Sequence, residues 1–369
     1  MKVLITGAGG FIGKNLIVHL AERGDIEVLP FVRGDPLQRL EELLLQADFV
    51  FHLAGVNRPK TVDEFRIGNA NLTQALCRQM AAAGRRPPVI YASSTQADQE
   101  NPYGESKRAA EDALSNLSRE TGTPVHIFRL PNVFGKWSRP DYNSAVATFC
   151  HNMARDLPVK INDPNAMVTL VYVDDLVARF LEIMDGRQNP SGKFCIVEPQ
   201  YKISVGELES RLRSFRSGRD DLTAGRVGEG LDRALYATYV SFLPPERFSY
   251  AVPCHEDSRG KFVEMLKTRD SGQFSFFTAY AGVTRGGHYH HSKTEKFLVI
   301  KGNARFRFRH VVSGEQHELQ TSGDKPEIVE TVPGWAHDVT NVGNDDMIVM
   351  LWANEVFDRA RPDTIERPI

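Results

Sequence analysis

Cysteine is scarce in this chain. Its 369 residues hold four, Cys77, Cys150, Cys195 and Cys254, far apart and in no CxxC pair. That spacing excludes a disulfide scaffold and a thiolate zinc finger, and it fits reduced thiols in a cytoplasmic protein. A surplus of one charge is missing too. The 45 basic and 47 acidic side chains nearly cancel, to a formal −2, so no field steers the chain toward nucleic acid or an anionic membrane surface. No apolar run approaches the ~18 residues that would span a bilayer. The N-terminus has no charged, apolar and small-residue leader pattern, and no internal repeat or low-complexity tract stands out. The expectation is a soluble intracellular protein without a nucleic-acid or membrane partner.

The chain does have enough length and apolar content for more than one core. At 369 residues and 41% hydrophobic composition, two domains are expected. Residues 2–6 (KVLIT), 26–32 (IEVLPFV), 48–53 (DFVFHL), 88–92 (PVIYA) and 124–129 (PVHIFR) read as buried strands. Helical patterns lie between them: after Gly13 up to a stop at Gly24, over LQRLEELLLQ, and over about 103–120. This alternation implies an α/β, Rossmann-like, doubly wound parallel sheet. After about residue 200 the texture changes. SVGELESRLRSFRSGRDDL is polar and helical, LTAGRVGEGLDRAL has no clear period, and from about 250 the period is two. RFRFRH sets Phe306 and Phe308 on one face and Arg305, Arg307 and Arg309 on the other. Short strands punctuated by Gly, Pro and Asn-Asp imply an all-β sandwich or small barrel. The transition lies between 185 and 250, and the division adopted is 1–245 and 246–369.

Three stretches carry chemistry. GAGGFIG places Gly7, Gly10 and Gly13 after a strand and at the mouth of a helix, where backbone amides can approach a pyrophosphate. No acid ends the second strand. Arg33 stands there, which suits a 2′-phosphate and NADP, although a solvated surface arginine reads equally well. NPYGESK sets Tyr103 and Lys107 four apart on one helix face, following the hydroxyls Ser93, Ser94 and Thr95. An ammonium there would lower the tyrosine pKa for proton exchange with a carbonyl oxygen, whereas a plain surface pair is the structural alternative. His288 and His290 share a face under period two, Glu295 follows a short turn, and His337 follows PGW on a later strand. Three imidazoles and a carboxylate suit Zn, Fe, Mn, Ni or Co with positions left open. His291 points the other way, and His310 and His317 are lone histidines.

GAGGFIG, HLAG at 52–55, YASS, YGESK, RLPNVFG at 129–135 and VYVDD at 171–175 together resemble the extended short-chain dehydrogenase/reductases that act on nucleotide sugars. That resemblance implies Tyr103 as acid/base and Lys107 as the residue that tunes it and holds the nicotinamide ribose. Ser94 would be the hydroxyl donor, with Thr95 its substitute. Asn132 would lie on the substrate side. Gly7, Gly10, Phe11, Ile12, Gly13, Arg33, Leu53, Ala54 and Lys107 would contact the cofactor, and Asp174 and Asp175 would be structural. The spacing G-x5-H-x-H-x4-E-x6-G from Gly282 to Gly302, with Gly334, His337 and Asn341, resembles the two cupin motifs; the second motif's proline is shifted to Pro333. DSRGKFVEM at 257–265 resembles a stretch of cupin-type deoxysugar 3,5-epimerases.

Reductase and cupin in this order resemble the bifunctional capsule and O-antigen enzymes. Those convert a UDP-2-acetamido-2,6-dideoxy-4-hexulose to UDP-N-acetyl-L-pneumosamine, by C3 epimerisation and then C4 reduction. The resemblance implies NADPH, zinc as the divalent metal, a UDP-4-keto-6-deoxy-N-acetylhexosamine substrate and a homodimer. Lys261 or a water at the metal is the candidate epimerase base. The alternatives are a 4-ketoreductase with a non-catalytic cupin, and an NADP-sensing regulator. A sensor has no need of a proton-donating tyrosine–lysine pair.

Overall fold

A computed structural model describes residues 1–187, 192–252, 254–257, 260–263, 266–268, 272–355 and 360–369; for 254–257, 260–263, 267, 268, 273 and 275 the backbone alone is described. Two compact units form, one from Met1–Ser144 and Val168–Lys202, the other from Ala145–Met167 and Ile203–Ile369.

The first unit is built on strands β1 (Lys2–Thr6), β2 (Glu27–Phe31), β3 (Phe49–His52), β4 (Val89–Ser94) and β5 (Val125–Leu130). They form one parallel sheet in the order β2-β1-β3-β4-β5. Val3, Leu4, Ile5, Val50, Phe51 and Ile90 are fully buried, as befits strands covered on both faces. Helices α1 (Phe11–Ala21), α2 (Leu37–Leu44), α3 (Leu72–Ala83) and α4 (Pro102–Thr121) are the crossovers. Since β1 has β2 on one side and β3 on the other, the order reverses at β1. The carboxyl ends of its strands there are where open α/β sheets place ligands. The expected parallel sheet is observed, and α1 ends at Ala21, before Gly24.

The second unit contains helices Ala145–Met153, Val205–Asp221 and Gly230–Ser241 and two five-stranded sheets. The strands are β6 (Ser249–Ala251), β7 (Gln273–Ala279), β8 (Thr284–Tyr289), β9 (Glu295–Lys301), β10 (Asn303–His310), β11 (Gln316–Ser322), β12 (Glu327–Glu330), β13 (Trp335–Asn341), β14 (Met347–Ala353) and β15 (Ile365–Glu366). One sheet runs β6-β12-β9-β14-β7 and the other β11-β10-β13-β8-β15, and each of the described pairings in them is antiparallel. In β10 the expected alternation holds: Phe306 and Phe308 are buried, and Arg307 forms a bidentate pair with Asp338 at 3.0 and 2.5 Å. No helix among the described residues is long and apolar enough to cross a membrane.

One irregularity decides which way a histidine faces. The β8–β13 register runs Thr284↔Thr340, Arg285↔Val339, Gly286↔Asp338 and then jumps to His288↔His337. A regular ladder would place Gly287 opposite His337 and turn His288 to the other face. The inserted residue is absorbed at Gly286 and Gly287, whose φ values are +101° and +78°. Glycine takes such angles without strain, so the bulge is encoded locally. A Cβ on Gly286 would meet His337 O at 2.9 Å and Asp338 Cα at 3.0 Å, whereas one on Gly287 would meet nothing within 4 Å. Gly286→Ala should therefore cost the metal-free protein about 1–3 kcal/mol in urea unfolding, and Gly287→Ala less, from backbone strain alone. Equal losses would show that the close approach is relieved elsewhere.

Candidate functional sites

The first site gathers at the carboxyl end of β4 and the start of α4. Pro102 occupies the first turn of α4, and the Asn101 side chain caps it by accepting from Gly104 N at 2.8 Å. A Cβ on Gly104 would lie 2.3 Å from Gln96 O, so only glycine lets the helix start press against the turn Thr95–Asp98. That close approach brings Tyr103 to Ser94, whose hydroxyl hydrogen-bonds to the phenol. Ser94 also accepts from Gln96 N at 3.1 Å, while Thr95 is exposed. Of the two candidate hydroxyls, Ser94 is the one in contact.

Lys107 lies one turn along the same helix and is buried. Its ammonium donates to Ala92 O at 2.7 Å and to Tyr91 Oη at 3.3 Å. Burial lowers its pKa to about 8, against the pull of Glu111. Tyr103 departs from expectation. Burial pushes its phenol up, the Ser94 hydrogen bond offsets part of that, and Lys107 contributes no resolved lowering. The ammonium is engaged with Ala92 and Tyr91, so the phenol of the cofactor-free site holds its proton at neutral pH. Beneath it, His52 stacks on Tyr91 with centroids 5.3 Å apart and is hydrogen-bonded between Thr6 Oγ1 (2.7 Å) and Thr73 Oγ1 (2.8 Å). Burial, reinforced by Lys107, lowers His52 to about 3, which leaves a neutral floor under the lysine.

Residues that the sequence reading passed over complete this site. Glu111, 2% exposed, accepts from Ser93 Oγ at 2.5 Å and from Arg129 at 2.7 and 3.0 Å. Asn69 donates to Val56 O and Ser106 Oγ and accepts from Val56 N, which pins the loop after β3. A charged residue at a strongly apolar helix position was the available signal for Glu111; nothing in the local sequence marks Asn69. Asn132 is exposed at the start of a short strand, Asn132–Phe134, and donates to Thr169 O. Asp174 pairs with buried Lys136 at 2.5 Å and with His19 at 3.2 Å, in keeping with a structural role.

The glycine turn fits a dinucleotide. Phe11 and Ile12 open α1, and Gly10 is its extended N-cap. A Cβ on Gly7 would lie 2.7–2.9 Å from Leu53 and Ala54 backbone, and one on Gly13 only 2.4 Å from Gly7 O. The turn therefore packs as closely as backbone allows and leaves the helix amides clear for a pyrophosphate. Arg33 is exposed in the turn after β2, and the nearby acid Asp35 is occupied by Val32 N at 2.8 Å.

The second site lies in the β domain. His288, His290, Glu295 and His337 place one ligand atom each within 4.8 Å of all the others. His288 and His337 rings are 4.8 Å apart, His288 and His290 5.1 Å, and His290 and His337 5.2 Å. Glu295 Oε2 is 3.1 Å from His290 Nε2 and 3.6 Å from His337 Nε2. The buried His337 Nε2 has no hydrogen bond, which a neutral imidazole nitrogen tolerates when a cation can take its lone pair. Burial, then His337 and His290, lower His288 to about 3, and burial lowers His337 as well. For Glu295, burial acts upward, but the His290 interactions outweigh it and hold the carboxyl well below its usual range. These shifts leave His288 and His337 unprotonated and Glu295 ionised at neutral pH, the forms in which they can hold a cation. Lys261 lies where side chains are outside the described residues, as does the whole DSRGKFVEM stretch.

Comparison with known proteins assigns the first unit. Residues 3–196 match the NAD dependent epimerase/dehydratase family. The chain belongs to that family. Residues 255–365 match the polysaccharide biosynthesis C-terminal domain. A Pseudomonas aeruginosa protein named UDP-2-acetamido-2,6-beta-L-arabino-hexul-4-ose reductase is 64% identical, over 99% of this chain and 98% of that one. The capsular polysaccharide assembling protein CapF of Staphylococcus aureus superposes with a TM-score of 0.70 at 41% identity, over the full length of both chains. A Bacillus cereus UDP-glucuronic acid 4-epimerase with NAD, 20% identical over 66% of this chain, shares the fold with a TM-score of 0.56. The resemblance to enzymes that join a reductase to a polysaccharide-biosynthesis domain is thereby shown, and membership of the family implies a nicotinamide cofactor at the glycine turn.

Two substitutions probe the sites. Glu111→Ala removes the acceptor of Ser93 and of Arg129 Nε and Nη2, leaving Arg129 its pair with Asp98, and should cost about 1–3 kcal/mol in urea unfolding. His337→Ala should weaken zinc binding roughly 100-fold, the share of one ligand of four in a binding energy of order 10 kcal/mol. Chelator competition measures it, and an unchanged affinity would remove His337 from the ligand set.

Proposed function

We propose that the chain is a bifunctional nucleotide-sugar enzyme of capsule or O-antigen biosynthesis. In this reading residues 246–369 form a cupin barrel that inverts C3 of a UDP-2-acetamido-2,6-dideoxy-4-hexulose. Residues 1–245 then reduce the C4 ketone with NADPH, giving UDP-2-acetamido-2,6-dideoxy-L-talose. The observation that carries it is the presence in one chain of both constellations, Ser94–Tyr103–Lys107 and His288–His290–Glu295–His337. The 64% identity to a protein named as a UDP-4-hexulose reductase supports the reductive half.

Each residue has a task in this scheme. The dinucleotide, bound at Gly7, Gly10 and Gly13, supplies a hydride to C4. Tyr103, held protonated by burial, gives its phenolic proton to the C4 oxygen. Ser94 fixes the phenol and donates to the same oxygen. Lys107, largely charged at neutral pH, holds the nicotinamide ribose and favours the phenolate left behind. Arg33 takes the 2′-phosphate that distinguishes NADPH. In the β domain a divalent metal, zinc in the first instance, supplies positive charge to a ketone oxygen. His288, His290, Glu295 and His337 hold it, and Lys261 is the candidate base for the C3 proton. Inversion precedes reduction because the C3 proton is acidic only while C4 is a ketone.

A second reading keeps the 4-ketoreductase and makes the β domain non-catalytic. One experiment separates the two. The full-length Tyr103→Phe variant is incubated with the UDP-4-keto sugar and NADPH in deuterated water. NADPH oxidation should fall by about 10²–10⁴-fold, while deuterium enters C3 at the wild-type rate and not in the zinc-stripped protein. Undiminished oxidation rejects Tyr103 as proton donor. Exchange no faster than in the stripped control leaves the second reading.

A further inference from the structure

Between His290 and Glu295 the chain leaves β8 and turns through His291, Ser292, Lys293 and Thr294 before entering β9. Five successive backbone amides in this segment are bound by side-chain acceptors. Those of His291, Ser292 and Lys293 converge on the carboxylate of Asp363, at 2.8, 2.7 and 2.7 Å. The Ser292 hydroxyl adds a fourth donor to that carboxylate, at 3.2 Å. Thr294 N donates to Asn354 Oδ1 and Glu295 N to Thr331 Oγ1, each at 2.8 Å. Consecutive amides pointing one way form an anion-binding concavity, and here the anion comes from the chain's own C-terminal segment.

Asp363 makes one more contact, and it reaches a ligand. Its backbone carbonyl is the partner of His290 Nδ1. A carbonyl has no proton to give, so Nδ1 must carry one, and Nε2 is the nitrogen left to present a lone pair to a cation. Nε2 is the atom that faces Glu295 Oε2. The segment around Asp363 is itself tied down. Arg367 N donates to Gly287 O at 2.7 Å, Lys293 Nζ reaches Thr364 Oγ1 at 3.1 Å, and Ile365 and Glu366 pair with Tyr289 and His288. The bulge and the ligand turn are thus held from the same direction.

We propose that Asp363 is a positioning residue for a metal centre at His288, His290, Glu295 and His337. Its carbonyl selects the His290 tautomer that presents Nε2, and its carboxylate fixes the turn that sets His290 against Glu295. This rests on the reading that these four side chains bind a divalent cation. Outer partners that orient ligating imidazoles commonly change metal affinity by about 10–100-fold.

The test uses the full-length protein, stripped of metal and titrated with Co²⁺, with affinity from chelator competition and ligand geometry from the visible absorption of the ion. NADPH binding, followed by fluorescence, reports that the first unit is folded. Asp363→Ala keeps the carbonyl and removes the carboxylate. It should weaken Co²⁺ by about 10–100-fold and alter the absorption bands. Asp363→Asn, which retains one acceptor oxygen but loses the charge, should fall between Asp363→Ala and wild type. If Asp363→Ala does not fold, Asp363→Asn decides on the same two readouts. Unchanged affinity and spectrum in a folded variant, with wild type binding Co²⁺, would overturn the positioning role and leave the metal centre standing. A wild-type chain that takes up no Co²⁺ would overturn the metal centre and the proposal together.

Discussion

A polar group removed from water must find a partner, and the organisation of both sites follows from that requirement. In the first unit the buried Lys107 ammonium is satisfied by Ala92 O and Tyr91 Oη, the Glu111 carboxylate by Ser93 and Arg129, and the His52 ring by two threonine hydroxyls. In the β domain the same accounting leaves His337 Nε2 unbonded at the centre of three imidazoles and a carboxylate. The satisfied cluster holds a tyrosine and a lysine in place, whereas the unsatisfied one has a lone pair ready for a cation. Burial raises the Tyr103 phenol and lowers His288 and His337, so the phenol keeps its proton and those two imidazoles lack theirs.

Glycine supplies the geometry where side chains would collide. Gly104 permits the α4 start to press on the turn after β4, and without that approach Tyr103 would stand away from Ser94. Gly286 and Gly287 absorb the bulge that turns His288 toward His337. In each place a backbone allowance fixes the placement of a chemical side chain one or two residues away. Glycines therefore do two jobs in this chain, tightening the turn near Gly7 and turning His288 toward His337 at Gly286 and Gly287.

Much of this was legible in the sequence because it depends on local period and local turns. The five parallel strands, the glycine turn, the Tyr103–Lys107 spacing and the run His288–His290–Glu295 all lie within short windows, and the PGW turn marked His337 on a later strand. Helices Leu72–Ala83, Ala145–Met153 and Gly230–Ser241 escaped notice. LTAGRVGEGLDRAL, residues 222–235, shows no clear period since its first eight residues precede the helix Gly230–Ser241 and only its last six belong to it. The grouping of 145–167 and 203–245 with the C-terminal strands depends on contacts distant in sequence, which no window displays. Lys107 was read as a group that depresses the Tyr103 pKa. In the structure burial of the phenol raises it instead, and the ammonium is engaged by Ala92 and Tyr91. Asp363 lies 73 residues from His290, in a tail with no motif, so its role could come only from the fold.

The residues of each constellation come from a single compact unit: Ser94, Tyr103 and Lys107 from one, and His288, His290, Glu295 and His337 from the other. Effects of substitutions that share no partners add, so each chemistry can be altered while the other serves as its internal control. Their protonation demands overlap at neutral pH. In the β domain burial keeps His288 unprotonated down to about 3, so that imidazole keeps its lone pair as the pH falls. Lys107 sets the alkaline limit, since an amine at about 8 gives up its charge as the pH rises through that value. At neutral pH one site offers the unprotonated imidazoles of His288 and His337, and the other a protonated phenol beside a charged lysine. The proposed order of steps, removal of a proton beside a ketone and then reduction of that ketone, would call on both at the same pH.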